Sequence, residues 1–275
     1  MSRSTAKFLQ GLVGLTTALQ PAPRRQATWA RLIEGLNEAG SAEVATDRGP
    51  LKMLPLRGPQ VAAALAWDKE EPETMAWLGG IGAGETLWDV GAQIGFGALY
   101  AASGGATVLA FEPKATSFAL LAEHVAINGL TDRITPLCIA LSDESRLTRL
   151  MVSNLGPGSW NNGLEGAADQ FGNALQGTAQ GVQALRGDDL IALFGLTAPD
   201  HLKIDVDGVE AAVLAGLAQT LPSVRSVLIE VEGENARLAA TRIEAPLTAA
   251  GFVEDPSVRD QGSKRNRLYR NRAHG

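Results

Sequence analysis

The chain has 275 residues, 45% of them hydrophobic, enough for one large buried core with an appendage. Its net charge of −6 argues against an extended nucleic-acid surface. A single cysteine, Cys138, excludes an internal disulfide, and with three histidines there is no His/Cys metal-site spacing, although carboxylates can hold a hard cation.

In chain order, residues 8 to 19 (FLQGLVGLTTAL) follow Arg3 and Lys7. Gln10, Gly11, Gly14, Thr16 and Thr17 interrupt this run and no small-residue cleavage site follows, so it does not read as a signal peptide. Phe8, Leu9, Leu12, Val13, Leu15 and Leu19 fit an amphipathic helix, which keeps a peripheral membrane contact open. No stretch is long enough to span a membrane, and the expected location is the cytoplasm. Pro21 and Pro23 separate a second helix carrying Trp29, Leu32, Ile33 and Leu36 on one face, ended by Gly40. Val44–Thr46 and Leu51–Leu54 flank Asp47-Arg48-Gly49-Pro50 and read as a hairpin. A further helix is expected after Pro72, with Met75, Trp77 and Leu78 inward. Residues 1–67 are thus read as a helical and hairpin appendage, and residues 68–275 as the main domain.

Residues 87 to 112 hold the first motif. Thr86-Leu87-Trp88-Asp89-Val90 is short and apolar, as in a strand buried on both faces. Gly91, Gly95 and Gly97 follow, where glycine permits positive φ and a close approach to the backbone. A helix starting near Gly95 presents unpaired N–H groups above the strand. Residues 107 to 111 form the next strand, and Glu112 at its end can accept two ribose hydroxyls. The dinucleotide fingerprint G-x-G-x-x-G is broken, because Gln93 replaces the second glycine needed beside a pyrophosphate. That argues against a nicotinamide cofactor. Asp89 suits a ligand with an amino group, and S-adenosylmethionine has an amino acid head and a ribose but no phosphate.

Strands 86–90, 107–111, 134–138, 201–205 and 226–231 alternate with helices at about 95–103, 115–128, 209–219 and 236–249. Such alternation predicts a mostly parallel, doubly wound α/β sheet with ligands beyond the carboxyl ends of its strands. Cys138, in an apolar run after Arg133, is expected in the core. Residues 141 to 190 break the alternation and are rich in glycine, which reads as a functional loop or lid, with room for its own hairpin. Within it, Trp160 covers the methyl donor, stacks on an acceptor ring or anchors the loop. Lys264, Arg265, Arg267, Arg270 and Arg272 read as the charged edge of a terminal strand; docking of a phosphorylated or acidic acceptor there is the other reading.

The second motif is His201-Leu202-Lys203-Ile204-Asp205-Val206-Asp207-Gly208-Val209-Glu210. Its strand ends on Asp205 at the same sheet edge as Asp89 and Glu112. Glu210 falls in the first turn of the next helix, where the dipole favours a carboxylate. The following strand delivers Glu230 and Glu232 to that edge. Clustered carboxylates repel, and a cation or substrate compensates them. Asp205 or Glu230 is a candidate general base for an acceptor hydroxyl. In another reading one or both hold a divalent cation. Glu232 is read as strand-end solvation.

These residues resemble a family, the FkbM-like methyltransferases, which are class I S-adenosylmethionine-dependent enzymes. The likeness is carried by Trp88-Asp89-Val90-Gly91-Ala92-Gln93-Ile94-Gly95, by Phe111-Glu112-Pro113 with Asn128-Gly129-Leu130, and by Leu202 to Glu210 continued by Val213-Leu214-Ala215-Gly216. Glu71-Pro72-Glu73-Thr74 and Trp77 resemble the entry to that domain. The resemblance implies a seven-stranded, Rossmann-like sheet whose antiparallel last strand lies near Arg267–Arg270. It implies that Asp89, Gly91, Ala92, Gln93 and Gly95 hold the methionine part of the cofactor, that Glu112 and Pro113 hold the ribose, and that Leu141 and Ser142 flank the adenine. Asp205 would border both cofactor and acceptor. Many relatives look like O-methyltransferases acting on sugars, glycans or natural products, so a small-molecule or glycan acceptor is expected. Gln93 stands where the family usually has Asn, and Asp207 where Glu is usual. His124 stands where Asn is common and is read as structural. The N-terminal sixty or so residues match nothing specific and are assigned to acceptor choice or a homodimer contact. A nicotinamide oxidoreductase and a non-catalytic cofactor-binding module remain the rival readings.

Overall fold

The computed structural model describes residues 3–54, 69, 71–166 and 176–274. The boundary expected at residue 67 falls outside them, as does Gly172 of the glycine-rich stretch.

The N-terminal segment forms α1 (Arg3–Thr17), α2 (Ala22–Ala39) and an antiparallel hairpin of β1 (Ala42–Val44) and β2 (Leu51–Met53). Pro21 caps α2 and Gly40 ends it, as the proline and glycine positions predict. The hairpin is anchored to the main domain. The backbone N–H of Leu54 donates to His124 Nε2 at 3.0 Å, and His124 Nδ1 lies 2.7 Å from the Ile94 carbonyl oxygen. A neutral imidazole protonated on Nδ1 satisfies both. Asn128 bonds both backbone groups of Lys52 at 2.8 Å. His124 is fully buried and so is the structural residue expected.

The main sheet has the order β12-β13-β11-β10-β3-β4-β5. Its strands are β3 (Thr86–Val90), β4 (Thr107–Phe111), β5 (Ile134–Leu137), β10 (His201–Ile204), β11 (Ser226–Glu230), β12 (Phe252–Asp255) and β13 (Asn266–Asn271). The five strands from β11 to β5 are parallel, and β13 runs antiparallel to both neighbours. The expected antiparallel strand near Arg267 is therefore β13. Every residue of β3 and β11 is buried, which explains their unbroken apolar runs.

One face of the sheet is covered by α3 (Pro72–Gly79), α4 (Phe96–Ser103), α5 (Ala115–Ile127) and the hairpin, around Leu78, Leu87, Leu99 and Leu121. The other is covered by α6 (Gly187–Phe194), α7 (Glu210–Gly216), α8 (Gly233–Ala239) and α9 (Ala245–Ala249), around Trp88, Leu202, Ile204 and Val227. A π-helical turn, Ala240–Glu244, joins α8 to α9, and the short α10 (Pro256–Arg259) follows β12.

The stretch 141–190 differs from a loop. β6 (Ala140–Leu141), β7 (Arg146–Val152), β8 (Asn162–Leu164) and β9 (Thr178–Leu185) form a second sheet, ordered β6-β9-β7-β8, and α6 begins before residue 190. Only one face of this sheet is buried, by Leu150, Val152, Leu164, Val182 and Ala184. Alternating small and polar residues on a one-faced sheet leave no apolar run to recognise. Cys138 also departs from expectation. It is exposed beyond the end of β5, with Sγ 3.7 Å from the Pro113 carbonyl oxygen.

Candidate active site

The carboxyl edge of the main sheet gathers the strand-end acids. Glu112 follows β4 and is nearly buried. Its carboxylate accepts the backbone N–H of Gln93 at 2.9 Å and of Lys114 at 2.8 Å. Burial pushes its pKa up to about 7, against the pull of those two donors. The carboxylate is thus aimed by the backbone and keeps lone pairs for further donors. Gln93 adopts φ 53°, a left-handed conformation, and its N–H thereby meets Glu112.

The Gly91–Gly95 turn lies directly against the turn after β10. Gly91 has φ 84°, and a Cβ there would overlap the Asp205 carbonyl oxygen. Gly95, at φ 93°, starts α4 in the left-handed region, and a Cβ there would overlap Leu121. Gly91 therefore serves close backbone packing between the turn after β3 and the turn after β10, and Gly95 lets the start of α4 pack against Leu121 of α5. Ala92 is buried beneath Glu112's strand, its N–H bonded to the Phe111 carbonyl.

Asp89 is fully buried and faces the chain's own ammonium. Lys203 Nζ lies 3.4 Å from Asp89 Oδ1 and 2.9 Å from Asp205 Oδ2. The first contact is an ion pair too long for a good hydrogen bond, and Asp89 Oδ1 accepts none. Burial raises the Asp89 pKa, opposed by Lys203. Burial would also lower that of Lys203, but Asp205 and Asp89 outweigh it and hold the ammonium protonated. Asp205 is the exception among these acids. Burial pushes its pKa up, yet Lys203 and a hydrogen bond from Glu230 hold it below its ordinary value. Its side chain is 32% exposed, so it is both ionised and reachable.

Glu230 ends β11 beside it. Burial and the Asp205 charge push its pKa up to about 9, despite Arg265 Nη1 at 3.1 Å. Glu230 is therefore the proton carrier and Asp205 the charge carrier of this pair. Arg265 also reaches Glu71 at 3.3 Å and Glu232 at 3.8 Å. Glu210 is buried, receives the Gly208 N–H at 3.3 Å, and is pushed up by burial to about 8. Among the described residues no three His, Cys, Asp or Glu side chains converge with metal-site geometry. The cations that balance these acids are Lys203 and Arg265.

Asn154 to Asn162, between β7 and β8, lies over this edge. Lys114 donates to the Gly156 carbonyl at 2.5 Å and to the Ser159 hydroxyl. Gly158 N–H meets the Ser117 hydroxyl at 3.1 Å, and Asn162 N–H meets the Asp207 carboxylate at 2.8 Å. Gln180 of β9 bonds the Pro113 carbonyl at 2.7 Å and the Ala115 N–H at 3.0 Å. The second sheet thus clamps the loop after β4 on one side and the turn after β10 on the other. Trp160 is 64% exposed, pointing to solvent from the loop.

The structure brings Asp89, Gly91, Gln93, Glu112, Asp205 and Glu230 to one edge, with Pro113 at its side. It does not bring Leu141 and Ser142 there. Leu141 packs in the core with Trp88 and Phe111, and the Ser142 carbonyl backs onto Gly216. Cys138 occupies the position beside Pro113 instead. A surface cavity of about 290 Å³ opens between β7, β9 and α6, walled by Leu147, Leu185, Leu193 and Phe194. It includes none of the strand-end acids.

Sequence reasoning gave Lys203 and Lys114 no role and read Arg265 only as strand charge. A lysine inside the buried run HLKI was a signal, since a buried ammonium needs partners. Nothing local pointed Arg265 at the edge. Further along the tail, Arg267 pairs with Glu244 at 2.7 Å and Arg270 with Asp255 at 3.0 Å.

Residues 89–253 match the Methyltransferase FkbM domain. The chain is 31% identical over 194 residues to 31-O-demethyl-FK506 methyltransferase FkbM of Streptomyces tacrolimicus, covering 62% of this chain and 73% of that one. It is 29% identical over 147 residues to hexuronic acid methyltransferase AglP of Haloferax volcanii, covering 54% of this chain and 56% of that protein, so it spans little more than half of that relative. Among solved structures, methyltransferase FkbM from Methylobacillus flagellatus aligns with TM-score 0.45 at 16% identity, over 68% of this chain and 43% of that one. No helix among the described residues is long and apolar enough to cross a membrane. With its domain match covering more than half its length, the chain belongs to the FkbM family of S-adenosylmethionine-dependent methyltransferases.

Proposed function

We propose that this methyltransferase acts on a hydroxyl oxygen of a sugar, glycan or natural product, with Asp205 taking the proton. The observation that carries this reading is the state of Asp205, a carboxylate kept ionised by Lys203 and partly open at the sheet edge. A hydroxyl is a weak nucleophile until its proton has an acceptor, and an ionised carboxylate in reach supplies one. Glu230, holding its own proton, is suited to donate a hydrogen bond to Asp205 and not to act as the base. The names of the two curated relatives support an oxygen or sugar acceptor, one being a hexuronic acid methyltransferase and the other a 31-O-demethyl-FK506 methyltransferase.

The residues present fit S-adenosylmethionine. Glu112 is aimed by two backbone donors and retains acceptor capacity for ribose hydroxyls, with Pro113 beside it. The turn Gly91-Ala92-Gln93-Ile94-Gly95, closed on one side by Asp205, would hold the methionine part. Asp89, sealed behind it, acts through Lys203. The cofactor, when bound, supplies an electrophilic methyl on sulfonium. The chain's share is then to align the acceptor oxygen, keep Asp205 ionised and receive the hydroxyl proton on its carboxylate.

Asp205→Asn tests the reading. Turnover should fall by about 10²–10⁴-fold, the usual range for losing a positioned base, while calorimetric affinity for S-adenosylhomocysteine stays within a few-fold. A large loss of that affinity with turnover intact would move Asp205 into the cofactor site and remove its role as base.

A further inference from the structure

We infer that α1 is a docking surface for an anionic lipid bilayer. Phe8, Leu12 and Leu15 recur at helical spacing along one face of α1, with Leu19 in the turn that follows. They are 69%, 50%, 78% and 99% exposed, and Leu9 beside them is 44% exposed. The inward side of the same helix is marked instead by half-buried Val13 and buried Thr17, whose hydroxyl bonds back to the Val13 carbonyl at 2.8 Å. Four large apolar side chains in one outward line are not the scattered exposure usual on a soluble surface.

Charge decides what covers them. Residues 1 to 33 hold five basic side chains, Arg3, Lys7, Arg24, Arg25 and Arg31, and no acid before Glu34. The whole chain has 24 basic and 30 acidic residues, which leaves 19 basic against 30 acidic beyond this segment. A basic N-terminal segment in an otherwise acidic chain, carrying an exposed apolar stripe with a phenylalanine, has the composition of a helix that lies in a lipid interface. Two copies meeting stripe to stripe would bring together segments of the same sign. An anionic bilayer offers the opposite sign and an apolar layer to receive the side chains, and each basic residue near such a surface strengthens association roughly fivefold.

The test is co-sedimentation of the full chain with phosphatidylcholine vesicles, with and without phosphatidylglycerol. Binding should be at least about tenfold stronger to the anionic vesicles and should weaken as salt rises. The double variant Leu12→Glu, Leu15→Glu, at exposed positions remote from the sheet edge, should lose binding at least about tenfold while keeping its affinity for S-adenosylhomocysteine. Equal binding to both vesicle types, no binding to either, or unchanged binding by the variant overturns the inference. So does a dimer in light scattering that the double variant disperses, which assigns the stripe to a second copy of the chain.

Discussion

Replacing Lys203 with Met removes the charge at the centre of the site while filling most of its volume. Its ammonium lies 2.9 Å from Asp205 and 3.4 Å from Asp89; Lys203 and Asp89 are buried, Asp89 at 1% exposure, while Asp205 is partly open. Breaking one side of a buried pair costs about 3–5 kcal/mol, because the remaining charge is left without compensation. Here Asp89 can escape part of that cost by taking a proton, so the loss depends on pH. At pH 8 the expected loss is about 3 kcal/mol, or ~6–12 °C in Tm for a domain of this size. At pH 5 it is smaller. The sign follows from Asp89, whose pKa burial raises in the folded state and which loses the opposing pull of Lys203 in the variant, so it takes up a proton more readily at the lower pH. Thermal unfolding of Lys203→Met at both pH values, together with Lys203→Met, Asp89→Asn, measures this directly. The double variant should recover more than half of the loss, and the acid limb of the pH–rate profile should move upward in the single variant. A loss under about 1 kcal/mol that ignores pH would refute a load-carrying buried network, as would a double variant less stable than the single.

Two further outcomes follow from the same geometry. Gly91→Ala places a Cβ against the Asp205 carbonyl at a left-handed φ. It should cost at least ~2 kcal/mol and weaken S-adenosylhomocysteine binding by calorimetry; a variant that binds and melts like the parent would show that the two turns are free to separate. Glu112, Glu210 and Glu230 are raised to about 7, 8 and 9. Raised carboxyls contribute stability below their unfolded pKa and lose it as pH climbs through the folded values, so Tm of the ligand-free protein should fall between about pH 5 and pH 9. A Tm that rises over that interval would mean the three groups are already ionised at neutral pH.

Much of the architecture was legible because parallel strands must be apolar throughout. TLWDV, TVLAF, HLKI and SVLIE each stand out between glycine turns and helices, and the order of acids after them marks the sheet edge. The second sheet was not legible, since β7 and β9 bury only alternate side chains near their ends and the glycines in β8 and β9 imitate a loop. Cys138 was placed in the core because its neighbours are apolar, but the strand ends at Leu137 and the next residue turns outward at the edge. Leu141 was expected beside the adenine on position alone, whereas β6 leaves the main sheet and carries it into the core. Of the tail residues read as strand charge, Arg267 and Arg270 lie in β13, which is flanked by β12 and β11 and is not an edge strand. Arg265 still reached Glu71 and Glu230, because the sheet order sets β13 next to β11, and no local pattern encodes that adjacency.

The edge as a whole solves a charge problem in two ways. Where a cation is at hand, an acid stays ionised, as Asp205 does beside Lys203. Where burial wins, an acid keeps its proton, as Glu230 and Glu210 do. The two solutions sit side by side, so the one accessible anion among these buried carboxyls stands next to a proton-bearing neighbour that hydrogen-bonds it. Under the proposed function, a hydroxyl proton received at Asp205 would neutralise a charge held by Lys203, Arg265 and the Glu230 hydrogen bond. The loop from Asn154 to Asn162 adds the geometric counterpart. It is held on the donor side by Lys114, next to Glu112, and on the acceptor side by Asp207, two residues beyond Asp205. A segment fastened at both points fixes the spacing between the Glu112 and Asp205 turns, and under the proposed function its side chains would bear on acceptor choice.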